Sequence, residues 1–255
     1  MTDPAMTYAS YLALEEVLGA QRPRSDEHDE LLFVIIHQVY ELWFKQLLHE
    51  LAHLQTQLEA AATAASLHTL RRFLTILKVA VAQIDVLETM TPRQFKSFRH
   101  RLDAASGFQS AQFRQLEAVL GRRDAAVVAD VPGPVTAAMA RPSLYDSFVR
   151  YLSGHGYAVP RRILDRDVTL PATREPELDD VLLAVYAADD GAAQVAERLV
   201  DLDEGLQEWR YRHVKMVERT IGDKAGTGGS SGADYLRSTL FAPMFPDLWA
   251  IRRRL

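Results

Sequence analysis

No cysteine occurs anywhere in the 255 residues. Its absence excludes disulfides, thiolate nucleophiles, iron–sulfur clusters, thiolate-ligated haem and haem attached covalently through a CxxCH motif. Any metal must therefore be held by His, carboxylate, Tyr or Met. An excess of positive charge is also missing: 29 Lys and Arg stand against 34 Asp and Glu, for a net charge of −5. No global basic field draws the chain to nucleic acid or to an anionic membrane, so a small-molecule partner is expected. Nor is there an apolar run of about 18 residues, and the opening MTDPAMTYASYLALEEVLGA lacks a basic start followed by an apolar block. The expectation is a soluble, cytoplasmic protein with no membrane span. Alternating strand patterns and internal repeats are essentially absent.

What remains reads as helix. From Asp26 to about Ala62 the pattern predicts one long helix, with Ser25 as N-cap and Asp26 and Glu27 in the first turn. Its first half, Leu31 to Phe44, leaves almost no polar face, which predicts a central helix packed on several sides. Leu67, Leu70, Phe73, Leu74, Leu77, Val81, Ile84 and Leu87 recur at threes and fours and predict a second helix over Ser66–Thr89, after which Pro92 starts a short one. Helices are also expected over Ser106 to about Leu120 and over 143–153, with VPGP (131–134) as a breaker between them and Pro160–Pro171 as irregular surface. From Glu177 to Ile221 the spacing is again helical, with Gly191 the place for any interruption. The glycine- and serine-rich stretch 222–232 reads as a mobile loop rather than a linker, because apolar, helical sequence (ADYLRSTL) resumes beyond it. The class is all-α, and 48% apolar residues suffice for one large core, so a single domain spanning 1–255 is expected.

With cysteine excluded, the eight histidines are the first candidates for chemistry. His37 sits within LLFVIIHQVY, with Phe33 one turn earlier on nearly the same face. It is either a core histidine bonded to a backbone carbonyl or a polar anchor in an apolar pocket. His213 shares a helical face with Trp209, Met216 and Val217, while Arg210, Arg212 and Lys215 point elsewhere. That arrangement suits an imidazole meeting a haem iron, and it equally suits a solvated basic stripe late in a helix. Arg99, beside Phe95 and Phe98, is either a clamp for a substrate carboxylate or an ordinary salt-bridge partner, and Ser106 is a candidate N-cap. GTGGSSG (226–232) offers amides and hydroxyls but matches no phosphate-loop spacing.

TYASYL (7–12), HDELLFVIIHQVYELWFKQLLHEL (28–51), SFRHRLDAASGFQSAQFR (97–114) and WRYRHVKMVERTIGDKAGTGGSSG (209–232) follow one another across nearly the whole chain. In that order and spacing they resemble the tryptophan 2,3-dioxygenase family. The resemblance implies a helical haem-dioxygenase bundle with long central helices, assembled as a homotetramer with one haem b per subunit. The implied reaction joins L-tryptophan and O₂ into N-formylkynurenine. By position, His213 then matches the axial ligand to haem iron and His37 the distal histidine that accepts the indole N–H. Phe33 matches the aromatic residue packed on the indole, Arg99 the carboxylate clamp, and Thr227 the loop residue that contacts the ammonium and carboxylate. Ser106 matches a hydroxyl close to the haem. Tyr8, Tyr11 and Leu12 match residues of an N-terminal segment, 1–24, that packs on a neighbouring subunit and reaches its pocket. Phe95 stands where this family often has tyrosine. Two other readings are a related haem enzyme acting on a modified indole and a haem sensor without turnover. Neither needs a carboxylate site, so the presence of Arg99 and Thr227 argues against both.

Overall fold

The structure, a computed structural model, describes residues 5–103, 105, 107–123, 133–222 and 237–255, and every regular element among them is helical. Two short helices, α1 (Tyr8–Tyr11) and α2 (Leu14–Leu18), precede the long α3 (His28–Glu59), which turns back through Ala61 into α4 (Thr63–Leu87). Then come α5 (Pro92–Arg99), α6 (Ala111–Leu120), α7 (Pro134–Met139), α8 (Leu144–Gly154) and α9 (Arg161–Leu164). The chain continues through α10 (Asp179–Ala188) and the long α11 (Gly191–Ile221) to the short α12 (Pro246–Ala250).

Helix α4 is the middle of the frame, lying against α3 on one side and α11 on the other. The reason is legible in its apolar spacing: Leu70, Phe73, Leu77, Ala80, Val81 and Ile84 are all buried. In the second half of α3, Leu47, Leu51, Leu54 and Leu58 form one stripe at fours and threes, each 0% exposed. They join α4 and the buried face of α8 in the main core cluster. By length and hydropathy α3 is apolar enough to cross a membrane, but this leucine stripe makes its second half the spine of the core.

Several boundaries differ from the sequence expectation. Helix α3 starts at His28, and Ser25 does not cap it: the Ser25 hydroxyl and the Ser25 and Arg24 N–H groups donate instead to the buried Glu30 carboxylate. Helix α6 is capped by Ser110, whose hydroxyl accepts the Phe113 N–H at 3.1 Å, while Ser106 lies outside the described residues. The stretch Pro160–Pro171 is not irregular throughout, because α9 docks Ile163 into the core. The break near Gly191 is present: Asp189 turns left-handed at φ 48° and the Asp190 side chain caps α11 by accepting the Ala192 N–H. Glycine is needed there because a Cβ on Gly191 would stand 2.5 Å from Thr63 Cγ2. Within the single chain the first half of α3 is not packed on several sides, since Leu31, Ile35 and Leu42 are exposed. Of the stretch 222–232 only Gly222 is described.

Candidate functional site

Between α3 and α11 lies a cavity of about 250 Å³, bounded by the end of α4 and by α5 and α6. Helical spacing brings Phe33, His37, Tyr40, Glu41 and Phe44 of α3 to its wall. His37 Nδ1 lies 2.7 Å from the Phe33 carbonyl oxygen. That oxygen can only accept, so Nδ1 carries the hydrogen and, in the neutral ring, Nε2 is left as an acceptor. The rings of Phe33 and His37 lie 4.1 Å apart. Burial lowers the His37 pKa, against the opposing pull of the Phe33 carbonyl and Glu41, which keeps the imidazole neutral near pH 7. Both alternatives for His37 therefore hold together: a backbone-bonded histidine and a polar group in an apolar pocket.

The facing wall comes from α11, where Trp209, Arg210, His213, Met216, Val217 and Thr220 line the cavity. Burial pushes the His213 imidazole down to about 4, and nearby His37 adds to the shift. Its Nδ1 and the Trp209 Nε1 are buried without a hydrogen-bond partner. Arg212 and Lys215 do point elsewhere, to Asp85 of α4 and Glu88 just past its end, and to Glu218. Arg210 does not: it precedes His213 by three residues, which brings its buried guanidinium onto the cavity side of α11. The six remaining histidines are all exposed, so the two singled out in the sequence are the two that meet here.

The end nearest α5 is aromatic. Phe33 lies 5.6 Å from both Phe95 and Phe98, which are themselves 5.5 Å apart edge to face. Half-buried Arg99 lines the cavity next to this group, with Leu102 and Ala105 beyond it. Thr227 and Ser106 lie outside the described residues. Tyr8, Tyr11 and Leu12 are exposed and absent from this chain's own cavity wall. Sequence reasoning missed Glu41, Phe113, Arg114, Glu117 and Arg210, all of which line the cavity. Spacing alone would have offered Glu41, one turn beyond His37, and Arg210, one turn before His213.

A family model described as tryptophan 2,3-dioxygenase matches residues 1–131 and 143–255. The chain belongs to the tryptophan 2,3-dioxygenase family. Among its relatives is a protein named tryptophan 2,3-dioxygenase from Anaeromyxobacter sp. (strain K), 63% identical over 268 residues that cover 100% of both chains. One of the same name from Herpetosiphon aurantiacus is 56% identical over 258 residues, covering 98% of this chain and 99% of that one. Another from Caulobacter vibrioides is 43% identical, covering 98% of each chain. The tryptophan 2,3-dioxygenase family is haem-dependent, and the cavity fits that cofactor. A half-buried, uncharged imidazole whose Nδ1 is buried without a partner suits a ligand to haem iron, and aromatic and aliphatic walls suit a porphyrin face.

Proposed function

We propose that this protein is a tryptophan 2,3-dioxygenase, which opens the indole ring of L-tryptophan with both atoms of O₂ to give N-formylkynurenine. The observation that carries the reading is the meeting of His37 and His213, far apart in sequence, in one cavity with Phe33 and Arg99. His213 would hold a b-type haem, one per subunit, through its iron, and the haem when bound would supply the activation of dioxygen. The residues of the chain bind, orient and exclude water. His37 Nε2 accepts the indole N–H, Phe33 packs on the ring, and Arg99 holds the substrate carboxylate through its planar fork. The indole is electron-rich at C2 and C3, so holding it at both ends is the main demand on the protein. Thr227 contacts the ammonium and carboxylate, and Ser106 supplies a hydroxyl near the haem; both roles rest on the match to the family.

We propose further a single-domain, cytoplasmic enzyme that works as a homotetramer, with Tyr8, Tyr11 and Leu12 completing a neighbour's pocket. The exposure of those three, together with Leu31, Ile35 and Leu42 on α3, supports that arrangement. The deciding experiment is anaerobic reduction of the haem-loaded protein, addition of L-tryptophan and ¹⁸O₂, and mass spectrometry of the product. Two labelled oxygen atoms are expected. One would favour a related enzyme of modified indoles, and none a sensor.

A further inference from the structure

Among the described residues two carboxylates line the cavity, Glu41 of α3 and Glu117 of α6, and their surroundings differ. Guanidinium groups of Arg114, Arg122 and Arg210 lie within 3.1 Å of Glu117. Glu41 forms no ion pair among the described residues, and what holds it is neutral. The side-chain amide of Gln112 on α6 donates to Glu41 Oε2 and to the Glu41 backbone carbonyl, both at 2.8 Å. Those bonds fix the half-buried side chain and leave its charge in place. A charge among aromatic walls is costly unless an opposite one arrives.

Placement decides which positive charge that is. Glu41 follows His37 by one turn of α3, about 6 Å along the axis, and Phe33 precedes His37 by another. Arg99 sits at the Phe33 end, with Phe95 and Phe98. The ammonium of the substrate shares its carbon with the carboxylate that Arg99 holds, so it stays at that end. What comes within reach of Glu41 is charge at the indole nitrogen. As oxygen bonds to C2 and C3, electron density leaves the ring, its nitrogen turns positive, and the N–H presses harder on His37 Nε2. The proton stays on the indole nitrogen, and the imidazole takes up part of the charge.

We propose that Glu41 is a positioning residue that acts through His37: its uncompensated carboxylate favours the positive charge that builds on the indole N–H and His37 pair as the ring is oxygenated. The inference rests on the dioxygenase reading of the cavity. The field of Glu41 already acts on the empty site, where it opposes the effect of burial on His37. Because the substrate gains its charge only on the way to product, Glu41 serves turnover rather than binding.

Glu41→Gln keeps an acceptor for Gln112 and removes the charge. In the haem-loaded enzyme it should lower kcat for L-tryptophan roughly fivefold, the scale of a whole charge acting on a partial one about a turn away, with KM unchanged. Glu41→Asp, which restores the charge, should recover part of the loss. In a His37→Ala background Glu41→Gln should change kcat less than about twofold, because the group it acts through is gone. A second readout needs no haem: titration of His37 by NMR in the haem-free full chain. Arg99 of α5, Arg114 and Glu117 of α6, and Arg210 and His213 of α11 are the other charged or titratable groups on the wall, and all stay in place. Removing the anion should move the His37 midpoint further below the ordinary 6.5. Equal midpoints in the two proteins would overturn the proposal, as would a loss of kcat as large without His37 as with it. A raised KM with kcat unchanged would make Glu41 a contact of the ammonium, also against the proposal. If wild type itself fails to oxygenate L-tryptophan, the dioxygenase reading falls and takes this role with it, whereas the other adverse results remove the inference alone.

Discussion

From Leu47 to Leu58, helix α3 sets Leu47, Leu51, Leu54 and Leu58 in one stripe, and that stripe is wholly buried. From Leu31 to Phe44 it carries apolar side chains all round, yet only Ile36 and Phe44 are buried among them. The half with the clearer polar face is the one that builds the core. In the other half, Phe33, His37, Tyr40, Glu41 and Phe44 face a cavity, and Leu31, Ile35 and Leu42 face outward. An amphipathic stripe records a single boundary between core and water. Loss of the polar face records two apolar surroundings, here a ligand cavity and a bare outer row. A histidine in such a stretch is costly without a partner, and the Phe33 carbonyl provides one for His37.

The sharpest way to break this comparison is to truncate each half. Leu54 is 0% exposed in the spine, and Leu54→Ala should cost about 2–5 kcal/mol of stability through lost transfer energy and the void left behind. Chemical denaturation measures it, and under native conditions the variant should still bind porphyrin. Loss of porphyrin affinity equal to the loss of stability would mean that spine and wall are not separate jobs.

Arg99 should show the opposite pattern. It is half-buried at the aromatic end of the cavity, so Arg99→Leu should cost about 2 kcal/mol or more in substrate binding, roughly thirtyfold in KM for L-tryptophan. Binding of indole, which has no carboxylate, should hardly change. Steady-state kinetics paired with indole titration distinguishes the outcomes, and equal responses of the two ligands would remove the clamp role.

These particulars show what the sequence could and could not carry. The helix expected over 143–153 and the start of α5 at Pro92 are legible because their signals are local, and the structure adds a Ser143 capping box to the first and a proline at the first helical position to the second. His37 and His213 stood out because their neighbours are apolar, and burial is what sets them apart from the other histidines. Ser25 misled because Glu30 competes for its hydroxyl, a choice that spacing does not fix. The Arg210–Glu117 pair joins positions 93 residues apart, and such a pair leaves no periodic trace. The depth of the first half of α3 does not follow from the sequence for a related reason: periodicity tells that a surface is apolar but not whether protein, ligand or a second subunit covers it.

A smaller effect concerns the haem-free protein and separates the walls of the cavity from the spine by pH. The ordinary imidazole value is 6.5, and His213 is held at about 4 in the fold, chiefly by burial. Below pH 6.5 the unfolded chain takes up a proton that the folded chain refuses. Stability is therefore complete above pH 6.5 and falls as the pH drops toward 4, by up to about 1 kcal/mol per pH unit. Burial of His37 acts in the same direction. Urea midpoints at pH 7.0 and 5.5 should differ for wild type, and the difference should shrink in His213→Gln. A pH response identical in the two proteins would show that other groups carry it.

The smallest expected effect belongs to His37. With Nδ1–H engaged by the Phe33 carbonyl, Nε2 offers the indole N–H one neutral hydrogen bond. Such a bond is worth about 0.5–1.5 kcal/mol net, so His37→Ala should weaken L-tryptophan binding roughly threefold to tenfold while leaving measurable turnover. The half-buried position implies little loss of stability beside that of Leu54→Ala. Tryptophan methylated at the indole nitrogen has no hydrogen to donate and presents a methyl group to the ring at 37. It should be a poor substrate for wild type, and the penalty should shrink in His37→Ala, because the smaller side chain gives the methyl room and leaves no bond to lose. Turnover assays with both substrates on both proteins close the cycle. Abolished turnover of L-tryptophan in His37→Ala, with the Soret band intact, would show that His37 handles a proton rather than orienting the ring, and the division of α3 into spine and binding wall would then need a catalytic role added to the wall.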